Sequence, residues 1–294
     1  MYTIRVLIGA IAIFSTVLSV GCATTRTAAW DNQYSAREIK PTKIPADLEK
    51  LWKSRHVKED LQKFIEKTEA WASENPSNYE SKVLLCRAYY LLADGHLYVE
   101  MNDENEAAIK KQQNEYFDKG IKWCERGLAH NQAFYEKVIK GGAKFEDSLD
   151  TITLADIDAL YWRYANLAKW SRLEGLMTLL ENKSKLTKTM LRVEQLNKTY
   201  FYGAVLRYKA GAEALSPTGN KKLADQYFEE CIKVAPDYFG TRVLYADFRL
   251  RGNEEAAIKQ LNYVIKGNAK AIPDVESENI IEQLKAKKLI KEFE

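Results

Sequence analysis

LADQYFEECIKVAPD, residues 223–237, decides the fold. Ala224, Phe228, Cys231 and Pro236 follow one another at steps of 4, 3 and 5. These are the steps at which the second helix of a tetratricopeptide unit places a small residue, an aromatic, a second small residue and a proline. The physical reason is packing. Two helices approach closely only where one side chain is small, and the large residue beside it fills the groove. Proline then stops the helix and sets the next turn. Upstream, Tyr208, Ala212 and Leu215 match the apolar and small positions of a first helix.

The pattern recurs on both sides. Ala257, Leu261 and Val264 lie 33 residues after Ala224, Phe228 and Cys231, with Tyr245, Ala246 and Phe248 on the helix before them and a turn at Gly252-Asn253. Gly120, Cys124 and Gly127 keep the same 4, 3 step, as do Leu186, Met190 and Val193, 66 residues further on, or two periods of 33. A fixed period in this range is the signature of a repeat array. The expected fold is therefore all-α: a tetratricopeptide-like α-solenoid of about four helix pairs with additional flanking helices. Helices are expected near 46–74, 77–100, 104–130, 132–141, 153–171, 172–197, 199–215, 219–234, 238–251, 253–267 and 275–291. Such arrays bury a continuous core and leave a concave face for binding.

The N-terminus is a targeting device. Arg5 supplies a positive charge, Val6–Val20 is an apolar run of 15 residues, and Leu18-Ser19-Val20-Gly21-Cys22 closes it with small residues before a cysteine. The run is short for a bilayer span of roughly 20 residues and suits a signal peptide. We divide the chain into a lipoprotein signal peptide at 1–21, a flexible tether at 22–45 and a tetratricopeptide-like helical domain at 46–294, with Cys22 as the lipidated residue. Ala23 after the cysteine, where an acidic residue would retain the lipoprotein in the inner membrane, places the expected anchor in the outer membrane, facing the periplasm. Within the tether, Trp30 and Tyr34 are the residues that would hold an arm docked on the domain instead.

Composition narrows the functions further. Net charge is +3 over 294 residues, and so balanced a charge argues against a nucleic-acid partner. Of four cysteines, Cys86, Cys124 and Cys231 remain after Cys22. Cys86 and Cys124 fall on neighbouring expected helices, so a bridge between them is open, but the primary expectation is three buried cysteines acting as small hydrophobes. His56, His96 and His130 have no metal-ligand spacing. No phosphate loop or nucleophile motif occurs, and Asp156 and Asp158 read as helix-start residues suited to the dipole. The expectation is a non-enzyme without cofactor or metal.

The stretch DIDALYWRYANLAKW (156–170) together with YGAVLRYKAGAEALSPTGNKKLADQYFEECIKVAPDYFGTRVLYADF (202–248) resembles the T component of tripartite ATP-independent periplasmic (TRAP) transporters. Ala159-Leu160-Tyr161-Trp162, Tyr202-Gly203-Ala204 and Ala224–Pro236 carry the likeness most specifically. The family's Gly-Gly-Asp turn is replaced here by Ser216-Pro217-Thr218-Gly219-Asn220. The resemblance implies a helical lipoprotein that binds the transporter's substrate-binding P component, assembles as a homo-oligomer (a trimer), and passes a small, apolar ligand through an internal cavity. The alternative is a tetratricopeptide lipoprotein acting as a scaffold for cell-envelope assembly. Candidate ligand-facing residues are Tyr161, Trp162, Tyr164, Trp170, Tyr202, Tyr208 and Tyr245. Tyrosine and tryptophan suit such a wall because each carries a polar tip on an apolar body.

Overall fold

The computed structural model describes residues 23–31 and 43–293. Among these residues the regular structure is helical throughout, with no strand. Cys22 and Tyr34 lie outside the described residues.

The main helices are α1 (Ala46–Lys53), α2 (Lys58–Glu74), α3 (Tyr79–Tyr90), α4 (Glu106–Leu128), α5 (Ile157–Glu174), α6 (Leu176–Leu196), α7 (Tyr200–Leu215), α8 (Lys221–Val234), α9 (Phe239–Arg249), α10 (Glu254–Lys266) and α11 (Glu276–Leu289). They pack as α3 on α4, α5 on α6, α7 on α8 and α9 on α10, with α4 and α5 also in close contact. The residues that define the repeat sit at the contacts: Ala224, Phe228, Cys231, Ala257, Leu261 and Val264 are all fully buried.

Boundaries differ from the expected ones where tertiary contacts intervene. The helix expected over 46–74 breaks at residues 54–57, where Arg55 turns inward to Glu278 of α11 with an Nη2–Oε2 distance of 2.6 Å. The junction expected between 171 and 172 falls at Gly175, whose φ of 112° few other residues adopt. Residues expected to be helical over 132–141 are α-helical only at Gln132–Phe134 and π-helical over Tyr135–Lys140. A second π-helical segment, Leu91–Leu97, continues α3.

Cysteine is the clear correction. Cys86 of α3 and Cys124 of α4 are joined in a disulfide, with Cα atoms 5.3 Å apart, and only Cys231 is a free buried thiol among the described residues. Helices packed through small residues bring two Cα atoms into the range a disulfide spans. Treating the residues as hydrophobes captured their burial but not that proximity.

The last helix returns to the first pair. Glu278 of α11 accepts from Arg55 and from Arg87 of α3. Lys285 pairs with Asp94 at 2.9 Å, and Lys288 donates to the main-chain carbonyls of Tyr98 and Met101. Burial alone would raise the carboxyls of Glu278 and Asp94. Arg87 and Arg55 outweigh it for Glu278, and Lys169 and Lys285 for Asp94, so both are held below the usual carboxylate range.

Part of the expected tether lies on the domain. Arg26 reaches Glu125 of α4 at 2.6 Å and Asp118 at 3.0 Å. The Thr24 amide donates to Thr178 Oγ1 of α6 at 2.9 Å. Trp30 packs edge-on against Phe134 at 5.3 Å and stacks on Phe145 at 6.1 Å. Residues 23–31 thus form an arm rather than free linker. Glu125, fully buried, also accepts from Arg163 of α5 at 3.0 Å, so the arm completes a charge cluster between two helices.

Candidate functional site

The helix α5 carries most of the candidate residues. Its start is fixed by a capping box in which Asp156 Oδ2 accepts from the Thr153 amide and hydroxyl, each at 2.8 Å. Asp158, the second residue of α5, accepts from the Tyr200 hydroxyl. Further along, Asn166 donates to the Trp162 carbonyl at 2.9 Å and the Cys86 carbonyl at 3.2 Å. A Cβ at Gly120 would stand 2.5 Å from Asn166 Oδ1, so only glycine lets α4 and α5 approach this closely.

An aromatic cluster forms where α5 meets α7. Tyr161 packs on Tyr200 and Phe201 at 5.2 and 5.4 Å, and Trp162 on Phe201 and Tyr90 at 4.9 and 5.4 Å. Tyr238 stacks on Tyr202 at 5.2 Å and meets Phe201 edge-on at 5.6 Å. The Arg87 guanidinium stands 5.2 Å from the centres of both the Trp162 and Phe201 rings, a cation–π arrangement on two sides.

The backbone at this junction is unusual. Phe201, Tyr202 and Gly203 have φ values of 43°, 57° and 82°, three successive left-handed residues within α7. Each non-glycine residue so placed costs roughly 1–2 kcal/mol. Arg207 holds the turn: its guanidinium donates to the Tyr202 and Phe201 carbonyls at 2.5 and 2.6 Å and lies 4.5 Å from the Tyr238 ring centre. Arg207 is buried, and among the described residues no carboxylate pairs with it. Gly203 allows contact with α8, since a Cβ there would lie 2.7 Å from Cys231 Sγ.

A pocket of about 500 Å³ opens beside the turn, bordered by Arg87, Thr199, Tyr200, Phe201, Tyr202 and Val275. Burial, reinforced by Asp158, raises the Tyr200 hydroxyl far above the usual phenol range, and burial raises Tyr202 as well. These hydroxyls therefore stay protonated and can donate hydrogen bonds. A larger pocket of about 1020 Å³ lies between the arm, the 135–146 segment and α6, with Trp30, Phe145, Arg163 and Asn182 among its walls.

The expected candidates fall in three places. Tyr161, Trp162, Tyr164, Tyr202 and Tyr208 are linked through ring contacts, Tyr164 to Tyr161 at 6.3 Å and to Tyr208 at 5.6 Å. Of these, Tyr202 borders the smaller pocket, and Tyr161 and Trp162 are buried behind it. Trp170 packs in a separate cluster with Phe117, Leu167 and Leu186. Tyr245 stacks on Phe228 at 4.7 Å and donates to Asp225 at 3.1 Å, within the core of the α7–α10 units. Sequence reasoning passed over Arg87, Tyr200, Phe201, Arg207 and Tyr238. The only local signal was the run Tyr200-Phe201-Tyr202 against Gly203.

The family described as TRAP transporter T-component matches residues 56–294. The chain belongs to that family. The match runs from the α1–α2 break to the end of the chain, so it takes in α2 to α11 and leaves out α1 and the arm. No curated protein matches the sequence. Membership makes this T component an accessory protein of a TRAP system, associated with that system's other components. No helix among the described residues is long and apolar enough to cross a membrane.

Proposed function

We propose that this T component is a periplasm-facing lipoprotein, anchored through Cys22, that binds the substrate-binding P component of a TRAP-type uptake system. It takes up a small, largely apolar ligand at the junction of α5 and α7 and passes it through the interior of the helical array. The observation that carries the ligand half of this reading is the left-handed turn Phe201–Gly203 beside the pocket of about 500 Å³. Backbone held in a costly conformation is kept where the surrounding structure enforces it, and such places concentrate at ligand clamps and switches. The volume lies in the range of small-molecule sites, and its wall combines three aromatic rings with Arg87, Asn197, Thr199 and Asp274. The resemblance noted in the sequence supports the P-component half and a trimeric assembly.

The ligand half is tested with an apolar fluorescent probe such as a naphthylamine, titrated into the mature chain. Binding at one site per chain is expected, with affinity lowered tenfold or more by Tyr202→Ala while the unfolding free energy changes by no more than about 2 kcal/mol. Unchanged affinity in Tyr202→Ala would place the probe elsewhere and remove the turn from the site. Sedimentation of the same sample tests the trimer.

A further inference from the structure

The larger pocket is built differently from the one beside the turn, and no described residue lines both. Its apolar surface comes from Trp30 and Phe145, stacked at 6.1 Å, together with Val138, Ile139 and Leu167. Its charged surface is mostly cationic: Arg26, Lys140, Lys144, Arg163 and Lys185 stand against Glu146 and Glu181. Lys140 is met by Glu136 at 3.1 Å. Lys185, among the described residues, meets only the Asn182 side-chain oxygen, at 3.4 Å.

Arg163 is 6% exposed and still borders the pocket. Its Nε and Nη2 both donate to one oxygen of Glu125, at 3.1 and 3.0 Å, and Nη1 makes no hydrogen bond among the described residues. Glu125 is already shared, because Arg26 Nη1 and the Ala29 amide donate to it at 2.6 and 2.8 Å. One buried carboxylate thus serves two guanidiniums. Burial holds the Arg163 guanidinium below its usual pKa despite Glu125. A buried cation with a spare donor is costly unless an acceptor meets it. The same guanidinium lies 4.1 Å from the Phe145 ring centre and 5.5 Å from that of Trp30. The spare donor and the apolar surface therefore adjoin.

We propose that this pocket is a second ligand site, which takes an amphiphile with an apolar body and one anionic head group. The head group accepts from Arg163, and the body lies along Trp30, Phe145 and Val138. A volume of about 1020 Å³ is at the upper end of small-molecule sites and leaves room for such a body. A neutral ligand of the same shape leaves the Arg163 donor unmet and binds more weakly. Arg26, Ala28 and Trp30 bring the arm into the wall, so the ligand and the docked arm stabilise each other.

The test titrates 1-anilinonaphthalene-8-sulfonate and its neutral counterpart N-phenyl-1-naphthylamine into the mature chain, with near-ultraviolet circular dichroism to check the fold of each variant. The two probes share their rings and differ in the sulfonate. Arg163→Met should lower affinity for the sulfonate probe roughly tenfold or more, as loss of a hydrogen bond between charged groups implies. Ala143→Trp, at a partly exposed wall position, should abolish sulfonate binding by filling the pocket, and should spare the neutral probe. Tyr202→Ala, in the other pocket, should leave sulfonate binding unchanged. Sulfonate binding that survives Ala143→Trp would overturn the site, whether or not Arg163→Met folds. Equal loss of both probes in Ala143→Trp would overturn the anionic head group and leave an apolar cavity. Sulfonate binding lost in Tyr202→Ala would place that probe beside the turn and overturn the second site. Failure of the neutral probe to bind at all would count against the turn pocket alone, a result distinct from these three.

Discussion

The two ends of the array hold together by different means. From α7 to α10 the contacts are small residues against aromatic and aliphatic ones: Ala224, Phe228, Ala246, Ala257 and Leu261, all fully buried. From α3 to α6 the same pairwise packing carries polar and covalent ties: the Cys86–Cys124 disulfide, the buried Glu125 between Arg26 and Arg163, and Asn166 in the space left by Gly120. Past the left-handed turn at the start of α7, the regular half follows its repeat spacing. The other half departs from ideal spacing and is fastened by specific bonds, and it also holds the arm and most of the α5 aromatic cluster. Stability in one half is spread over many small apolar contacts, with the Arg207-held turn as its polar exception; in the other it is concentrated in a few specific bonds.

That contrast can be broken at named residues. The largest effect is expected at Glu125. Glu125→Gln leaves Arg26 and Arg163 without their buried carboxylate and should cost about 3–5 kcal/mol in urea unfolding; a loss under 1 kcal/mol would show that the cluster is not what fastens the irregular half. Removing the disulfide by Cys86→Ala with Cys124→Ala should cost about 2–4 kcal/mol, in keeping with the closed loop of 38 residues. In the regular half, Ala224→Leu should overpack the α7–α8 contact by about 1–3 kcal/mol. Its pocket probe affinity should follow stability rather than fall separately.

The smallest effect concerns closure of the array by α11 and depends on pH. Glu278 and Asp94 have folded-state pKa values below those of the unfolded chain. Their stabilisation is complete above the unfolded carboxylate range near 4 and is lost as pH falls through the lower folded values. The contribution of these two carboxylates should therefore be constant from neutral pH to about 5 and decline below about 4. Glu278→Gln should remove part of that acid-side slope. An unchanged slope would mean that the ion pairs to Arg55 and Arg87 contribute nothing to closure.

The same contrast explains what the sequence disclosed. Positions such as Ala224, Phe228 and Cys231 announce themselves because helix packing demands small and large residues at fixed steps, and the pairing of α7 with α8 follows from them. The left-handed turn at Phe201–Gly203 does not, because Phe and Tyr are poor residues for that conformation and only Gly203 hints at it. What enforces the turn is Arg207, whose partners are main-chain carbonyls that leave no mark on residue type. The disulfide was hidden for a related reason: spacing places Cys86 and Cys124 on neighbouring helices but not at a given distance. Trp170 and Tyr245 matched the aromatic criterion for a ligand wall yet lie in separate cores, since periodicity reports which face is buried and not what covers it.

The most direct test of the proposed function is binding to a purified P component of the TRAP system encoded with this chain, measured by calorimetry on the mature T component. The account predicts a saturable complex at one P component per chain. No heat and no complex at 100 µM of each protein, with both proteins folded, would contradict it.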